Sequence, residues 1–153
     1  VKPGDLVRLD IGCTYQGYWA DMARTASVGE PTTRQAMQYR AIKAGLEHQL
    51  AQLRAGQTAA ASFEAAVSAT RRAGLPNYQR HHCGHGIGLQ PSEFPRLSAD
   101  NTSPLKANMV LCVETPYYEL GRGGMMVEDT VVVTADGFAP LTTIPRDLSI
   151  IAP

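Results

Sequence analysis

Hydrophobic and polar positions alternate through the first thirty residues, and this period of two predicts β-strands. We expect one strand over residues 6–12 and a second over residues 19–26, joined by a hairpin at residues 15–18. Asp10 and Asp21 lie in these otherwise apolar strands, where an unpaired carboxylate is costly. If the hairpin closes between them, we predict that the two aspartates face one another, since cross-strand neighbours lie ~5 Å apart.

The pattern then changes to the three- and four-residue spacing of amphipathic helices. Thr32 and Gln35 fit a capping box at the start of a first helix, and Gly56 is placed to end it. The apolar face of this helix consists of Tyr39, Ile42, Leu46, Leu50 and Leu53. A second helix is predicted from residue 59 or 63 to residue 72, with Gly74 as its stop.

Strand patterns return in the last third of the chain, over residues 109–115 and 124–133. A turn at residues 135–137 leads into a short final strand at Phe138. Residues 90–105 are polar and contain prolines, so they are predicted to form a loop. This order of strands, two helices and strands predicts an α+β fold rather than alternating α/β.

The amino-acid composition limits the classes of protein to which this chain can belong. The 153 residues are 44% hydrophobic and 18% charged, as is typical of one globular domain. Fourteen basic and fourteen acidic residues cancel, so there is no electrostatic case for binding nucleic acid or an anionic membrane. No apolar run approaches the roughly 20 residues of a membrane helix.

The cysteines bear on the redox compartment of the protein, and the first residues bear on whether the chain is part of a longer one. Three cysteines without zinc-finger spacing argue against a disulfide framework and for a reducing compartment, so we expect the cytoplasm, with one disulfide pair as the alternative. The chain opens Val-Lys-Pro-Gly-Asp, and a strand follows almost at once, which predicts a piece of a longer protein.

The most unusual stretch is residues 81–88, which contains three histidines and three glycines. Glycine fills no space and a buried histidine costs solvation, so the stretch suits a site better than a core. Carboxylates interrupt the apolar strands at Asp10, Asp21, Glu114 and Glu128. Four carboxylates with His85 suit two divalent ions such as Mn, Co, Fe or Zn. Two such ions ~3.5–4 Å apart can deprotonate water and polarise a carbonyl.

These motifs resemble those of the pita-bread metallopeptidases, which include methionine aminopeptidase, prolidase, aminopeptidase P and the metal-free creatinase. The matching motifs are Asp10 with Asp21 eleven residues later, and the segments 83–88, 114–116 and 127–130. The tail of the match is more similar to the Xaa-Pro peptidases. The resemblance implies an antiparallel curved sheet with covering helices. It also implies that residues 1–153 are the C-terminal portion of a single catalytic domain whose N-terminal part is missing.

The resemblance further implies a role for each matching residue. Asp10 would bind one metal ion, Asp21 and Glu128 would bridge two ions, and His85 and Glu114 would complete the second site. The expected ions are Mn or Co, with Zn or Fe as alternatives.

The implied reaction is hydrolysis of a peptide bond near a peptide N-terminus, at an Xaa-Pro bond, by a hydroxide that bridges the two ions. Glu114 would also relay a proton to the leaving amine, and His81 would hydrogen-bond the substrate, so both are candidate catalytic residues. The expected partner is a proline-containing peptide or dipeptide. A homodimer is a further expectation, because dimers are common among relatives.

Two positions depart from the family pattern. Relatives usually have a second pocket histidine where this chain has Ser92, and often an arginine where it has Met126. Losing an imidazole near the reacting carbonyl commonly weakens transition-state stabilisation by ~10²-fold or more. Two alternatives therefore stay open: a creatinase-like hydrolase of a small amidine or amide, and a binding module without turnover. The five retained ligand positions argue against both.

The residues beside these motifs have less specific interpretations. His82 fits a pocket role and a structural role equally well, and Cys112 is read as a small buried residue. Asp129 is predicted to hold the metal ligands in position without binding a metal ion itself. Arg24 and Arg80 are expected on the surface or in support of the site, where either could meet a substrate carboxylate.

Overall fold

The computed structural model describes residues 1–152. The two helices are α1 (Thr33–Gln52) and α2 (Ala59–Arg72). The strands are β1 (Leu6–Tyr15), β2 (Tyr18–Val28), β3 (Gly84–Gly86), β4 (Glu93–Arg96), β5 (Val110–Glu114), β6 (Tyr117–Glu119), β7 (Gly123–Met125), β8 (Glu128–Val133), β9 (Phe138–Pro140) and β10 (Ser149–Ile151).

Eight of these strands form one sheet, and the predicted α+β class is confirmed. The strand order is β1-β2-β8-β5-β3-β4, with β10 beside β2 and β9 beside β8. All of these pairings are antiparallel except that of β10 with β2. The hairpin of β6 and β7 forms a separate two-stranded sheet.

The first helix begins as the sequence predicts but ends earlier. The Thr32 side chain accepts a hydrogen bond from the Gln35 backbone, and the Gln35 side chain accepts one from the Thr32 backbone. Leu53 ends the helix in an extended conformation, with its side chain only 1% exposed. Gly56 has a φ of +85° in the following turn, so the prediction that Gly56 ends the helix is wrong.

The two helices pack closely because α1 has a glycine at the contact. A Cβ at Gly45 would overlap the Thr70 hydroxyl and lie 3.0 Å from the Ala66 carbonyl oxygen. The buried faces of the helices and one face of the sheet form a common core, which includes Ile42, Leu46, Leu111, Val113 and Val131. Neither helix in residues 1–152 is long and apolar enough to cross a membrane.

The β1–β2 hairpin closes at a two-residue turn, residues 16–17, as expected. With this turn, Asp10 lies opposite Ala23 and Asp21 lies opposite Gly12. The prediction that the aspartates face each other directly is therefore wrong. They are diagonal neighbours on the same face, since their positions differ by two residues from a direct pair.

Several short strands were not predicted. The histidine-rich stretch forms β3, and the predicted loop 90–105 contains β4, which is an edge strand. The predicted strand 124–133 is broken into β7 and β8. At the break, the Thr25 hydroxyl donates to the Met126 carbonyl (2.9 Å) and accepts from the Met126 N–H (2.8 Å), so a side chain takes the place of a strand partner.

Candidate metal centre

The candidate ligands lie in two rows that cross one face of the sheet. The first row runs through the paired positions Asp10, Ala23, Glu128 and Glu114. The second row, two residues along the strands, contains Asp21 on β2 and the pair of Cys112 with His85. Paired residues project to the same face, as do residues two apart on one strand. All five predicted ligands therefore share the face opposite the helices.

Three of the five predicted ligands converge with one residue that was not predicted as a ligand. Ligand atoms of Asp21, His85, Cys112 and Glu128 all lie within 4.8 Å of one another. Cys112 is fully buried, as predicted, but its Sγ donates to Glu128 Oε1 at 2.9 Å. The interpretation of Cys112 as only a small core residue is therefore incomplete.

The other two predicted ligands are at the margin of this group. Asp10 accepts a hydrogen bond from Arg8 Nη1 at 3.2 Å and is partly exposed. Glu114 is 6% exposed, and its Oε1 lies 3.0 Å from His82 Nε2. The structure thus gives His82 a contact with a candidate ligand, while His81 is exposed and has no hydrogen bond within residues 1–152.

His85 is oriented for ligation by its own backbone. Its Nδ1 lies 2.9 Å from the carbonyl oxygen of Gly86. Because a carbonyl oxygen only accepts, Nδ1 carries the proton and the Nε2 lone pair is free to bind an ion.

The glycines beside His85 serve strand packing. Gly84 has a φ of +134°, and a Cβ there would overlap the Cys112 carbonyl. A Cβ on Gly86 would lie 2.5 Å from the carbonyl oxygen of Phe94. These glycines let β3 fit between β5 and β4, which places the His85 imidazole beside the carboxylates.

Burial and mutual repulsion disfavour the ionised form of two of the carboxylates, Glu128 and Asp21. Burial, followed by repulsion from Glu114, Asp21 and Asp10, raises the pKa of Glu128 to about 9. Burial and then repulsion from Asp10 raise the pKa of Asp21, against a smaller opposite effect of His85. A cation between these side chains would remove the penalty for ionising them.

A buried oxygen without a hydrogen-bond partner also fits cation binding at this site. Glu128 is 2% exposed, and its Oε2 has no hydrogen-bond partner within residues 1–152. Such an atom is costly to bury unless an ion or a donor binds it. Carboxylate oxygens with one imidazole form a donor set for hard or borderline divalent ions. The residues therefore fit the metal ions that the resemblance implies.

The residues behind the site form a buried ion-pair network. Asp129 is fully buried and accepts from Arg24 Nη2 (2.7 Å) and Arg146 Nε (2.6 Å). Arg24 also donates to the backbone oxygen of Glu128 at 2.6 Å. Asp129 thus acts on the candidate ligands indirectly, by fixing the strand that carries Glu128.

Sequence patterns did not identify Cys112 and Arg8 as residues of the site, and they left His82 undecided between a pocket role and a structural role. Cys112 and Arg8 each lie two residues from a predicted ligand on the same strand, so alternation along those strands was the available signal. His82 had no such signal, because its contact with Glu114 depends on the loop before β3.

Comparison with known proteins identifies relatives across nearly all of this chain. Residues 1–135 match metallopeptidase family M24. The probable dipeptidase PepE of Mycobacterium tuberculosis is 37% identical over 152 residues, which are 99% of this chain and 40% of that protein.

Solved structures share the fold. The X-Pro aminopeptidase from Thermotoga maritima superposes with a TM-score of 0.93 at 35% identity, covering 99% of this chain and 42% of that one. The prolidase from Pyrococcus furiosus gives a TM-score of 0.91 at 34% identity, covering 95% and 43%. The predicted pita-bread fold is confirmed. The chain spans about 40% of the length of the curated relatives it matches.

Proposed function

Because this chain belongs to metallopeptidase family M24, we propose that its protein is a metal-dependent peptidase that cleaves short peptides at an Xaa-Pro bond. The observation that carries this proposal is the convergence of Asp21, His85 and Glu128 on one face of the sheet, with Asp10 and Glu114 beside them. The names of the relatives, a probable dipeptidase, an X-Pro aminopeptidase and a prolidase, support the class of substrate.

The proposal includes two divalent ions, with Mn or Co as the preferred metals. The proposed ligands are Asp10, Asp21, His85, Glu114 and Glu128. The buried, unpartnered Oε2 of Glu128 supports this assignment. When bound, the ions would supply the Lewis acidity that activates water and polarises the scissile carbonyl.

Side chains of this protein are proposed to transfer the proton that the leaving amine needs during hydrolysis. Glu114 is proposed to take a proton and release it to the leaving amine, in addition to its role as a ligand. The contact with His82 Nε2 supports this role, because a neighbouring imidazole holds the carboxylate in one orientation. His81 is proposed as a hydrogen-bonding group for the substrate, and its exposed position on the same loop is consistent with that role. Ser92 is also exposed and supplies no imidazole.

We also propose that residues 1–153 are the C-terminal portion of a single catalytic domain. The first two strands support this, because they expose large apolar side chains that a longer chain could cover. These are Leu9, Ile11, Tyr15, Tyr18 and Trp19, which are 38–76% exposed.

Turnover by the full-length protein tests the proposed function. After loading with Mn, the protein should hydrolyse Ala-Pro, and Glu114→Gln should lower kcat by ~10²-fold or more because the proton relay is lost. Glu64→Gln, at an exposed position on α2, is the control and should retain activity.

Two other outcomes would support the alternatives. Hydrolysis of creatine by the metal-free protein would favour the creatinase-like reading. Tight metal binding without hydrolysis of Ala-Pro, Ala-Ala or longer Xaa-Pro peptides would favour a binding module.

A further inference from the structure

The structure places a sulfur atom inside the candidate metal centre. Cys112 on β5 lies between His85 on β3 and Thr130 on β8, and paired residues of neighbouring strands project to the same face. The adjacent residues Leu111 and Val113 project the other way, into the core shared with the helices. The fully buried side chain of Cys112 is therefore enclosed on the side of the sheet that carries the candidate ligands.

The neighbours of this sulfur are polar. Cys112 Sγ lies 2.9 Å from Glu128 Oε1 and 3.8 Å from the backbone oxygen of Asp21. The Thr130 hydroxyl, 4.0 Å from the sulfur, donates its one proton to that same Asp21 oxygen. The thiol also has one proton, which the closer Glu128 oxygen accepts. The lone pairs of the sulfur therefore remain available to bind an ion.

The spacing of four donor atoms matches a single metal ion. The Cys112 sulfur and one ligand atom each of Asp21, His85 and Glu128 lie within 4.8 Å of one another. Donor atoms on opposite sides of one ion such as zinc are up to ~4.5 Å apart, since bonds to sulfur are about 2.3 Å long and bonds to oxygen or nitrogen about 2.0–2.2 Å. The sulfur is thus one of four donors whose spread is close to the size of one ion site.

A second observation indicates that this group binds a ligand. Glu128 is 2% exposed, and while its Oε1 accepts from Cys112, its Oε2 has no hydrogen-bond partner within residues 1–152. A buried carboxylate oxygen requires a donor or an ion. An ion held by the sulfur and by this carboxylate would satisfy that requirement.

We propose that Cys112 binds a metal ion through its sulfur, together with Asp21, His85 and Glu128. This inference rests on the proposed metal-dependent function and narrows the choice of metal. When the sulfur binds, its S–H bond breaks, the proton passes to solvent, and the electron pair left on sulfur forms the bond to the ion. Thiolate sulfur is a softer donor than carboxylate oxygen and favours Zn and Co over Mn. Of the two metals proposed above, this position therefore prefers Co.

Absorption spectra of the full-length protein loaded with Co test this inference. The wild type should show thiolate-to-cobalt charge-transfer absorption in the near ultraviolet, and Cys112→Ser should lose that absorption while still binding Co. Serine keeps a hydroxyl that can donate to Glu128 but supplies no sulfur, so this variant separates ligation from a purely positioning role. Cys13→Ser, at an exposed position on β1, is the control and should retain the absorption. Bound Co without this absorption in the wild type, or with equal absorption in Cys112→Ser, would overturn the inference.

Competition between metals gives a second readout. Cys112→Ser should lower the ratio of Co affinity to Mn affinity by at least ~10-fold, because Co gains more than Mn from a sulfur donor. Loss of a hydrogen bond to Glu128 alone would weaken both ions alike, so an unchanged ratio would contradict the inference. Equal melting temperatures of the metal-free variant and wild type would show that Cys112→Ser is folded. If Cys112→Ser does not fold, Cys112→Ala replaces it, and the wild-type spectrum remains decisive.

The same measurements separate this inference from the proposed function. Thiolate-to-cobalt absorption in a protein that does not hydrolyse Ala-Pro would support the sulfur ligand and refute the peptidase function. Hydrolysis of Ala-Pro by a Co-loaded protein without this absorption would support the function and refute the sulfur ligand. A folded protein that binds no Co would refute both.

Discussion

Glu128 shows how strongly one buried residue can depend on a cation. Its carboxyl is almost fully buried, and three other carboxylates contribute repulsion at its position. In the metal-free protein the Glu128 side chain therefore keeps its proton far above the ordinary pKa of 4.5, up to about 9. A metal ion must displace that proton in order to bind.

This competition predicts opposite pH dependences for folding and for metal binding. Between pH 4.5 and about 9 the unfolded chain has lost the Glu128 proton and the folded, metal-free protein has retained it. The free energy of unfolding should therefore fall as pH rises through this window, by up to ~1.4 kcal/mol per pH unit for one proton. The raised pKa of Asp21 acts in the same direction. Metal affinity should rise by up to about tenfold per pH unit over the same window.

Urea unfolding of the chelator-treated protein at several pH values measures the first effect, and metal titration at the same pH values measures the second. Glu128→Gln has no proton to lose and should flatten both dependences. Equal slopes for wild type and Glu128→Gln would show that Glu128 does not control them.

The candidate site was partly predictable at the scale of single residues. Asp10, Asp21 and Glu128 were visible because a charge that interrupts an apolar strand needs a partner. The contact of Cys112 with Glu128 was not visible, because it depends on which residues of two strands lie side by side. The diagonal arrangement of the two aspartates likewise depends on where the hairpin closes.

At the scale of elements, β8 is held in place by charge as well as by backbone pairing. Asp129 on β8 receives Arg24 from β2 and Arg146 from the segment before β10. This network fixes the strand that carries Glu128 against its neighbour. Removing one member of a buried ion pair leaves the others without compensation.

Asp129→Asn should therefore lower the free energy of unfolding by ~3 kcal/mol, because two arginines lose their counter-charge in a buried setting. Urea unfolding of the metal-free protein at neutral pH measures this change. Glu64→Gln, which removes an exposed carboxylate from α2, should change stability by less than ~0.5 kcal/mol. Equal stabilities for Asp129→Asn and Glu64→Gln would show that the network does not stabilise the fold.

Long elements were predictable, whereas most short ones were not. The three-residue β9 is the exception, because the turn before it indicated its start. α1, α2, β1, β2 and β5 extend over enough residues for their periodicity to be read. In contrast, β3, β6 and β10 each contain three residues, too few for any period. They exist because neighbouring strands supply their hydrogen-bond partners, which is a property of the tertiary structure.

At the scale of the whole molecule, the residues that stabilise the fold and the candidate site residues lie on opposite faces of the sheet. The helices and the apolar residues of the sheet form a core on one face, and the opposite face carries all five candidate ligands. Two of the hydrogen bonds between α1 and the rest of the chain lie close to candidate ligands. Thr115 donates to the Ile42 carbonyl (2.8 Å), and Gln49 donates to the Cys83 carbonyl (2.9 Å). α1 thus supports the chain on either side of the site, next to Glu114 and just before β3.

Metal stoichiometry of the full-length protein tests the central claim most directly. After equilibration with Mn and dialysis, elemental analysis should give about two ions per chain, because the five proposed ligands would form a donor set for two ions. Glu128→Ala should lose most of this metal, whereas the control Glu64→Gln should retain it. A folded wild-type protein that binds no divalent ion, or a Glu128→Ala variant that binds as much as wild type, would contradict the assignment of this face as a metal centre.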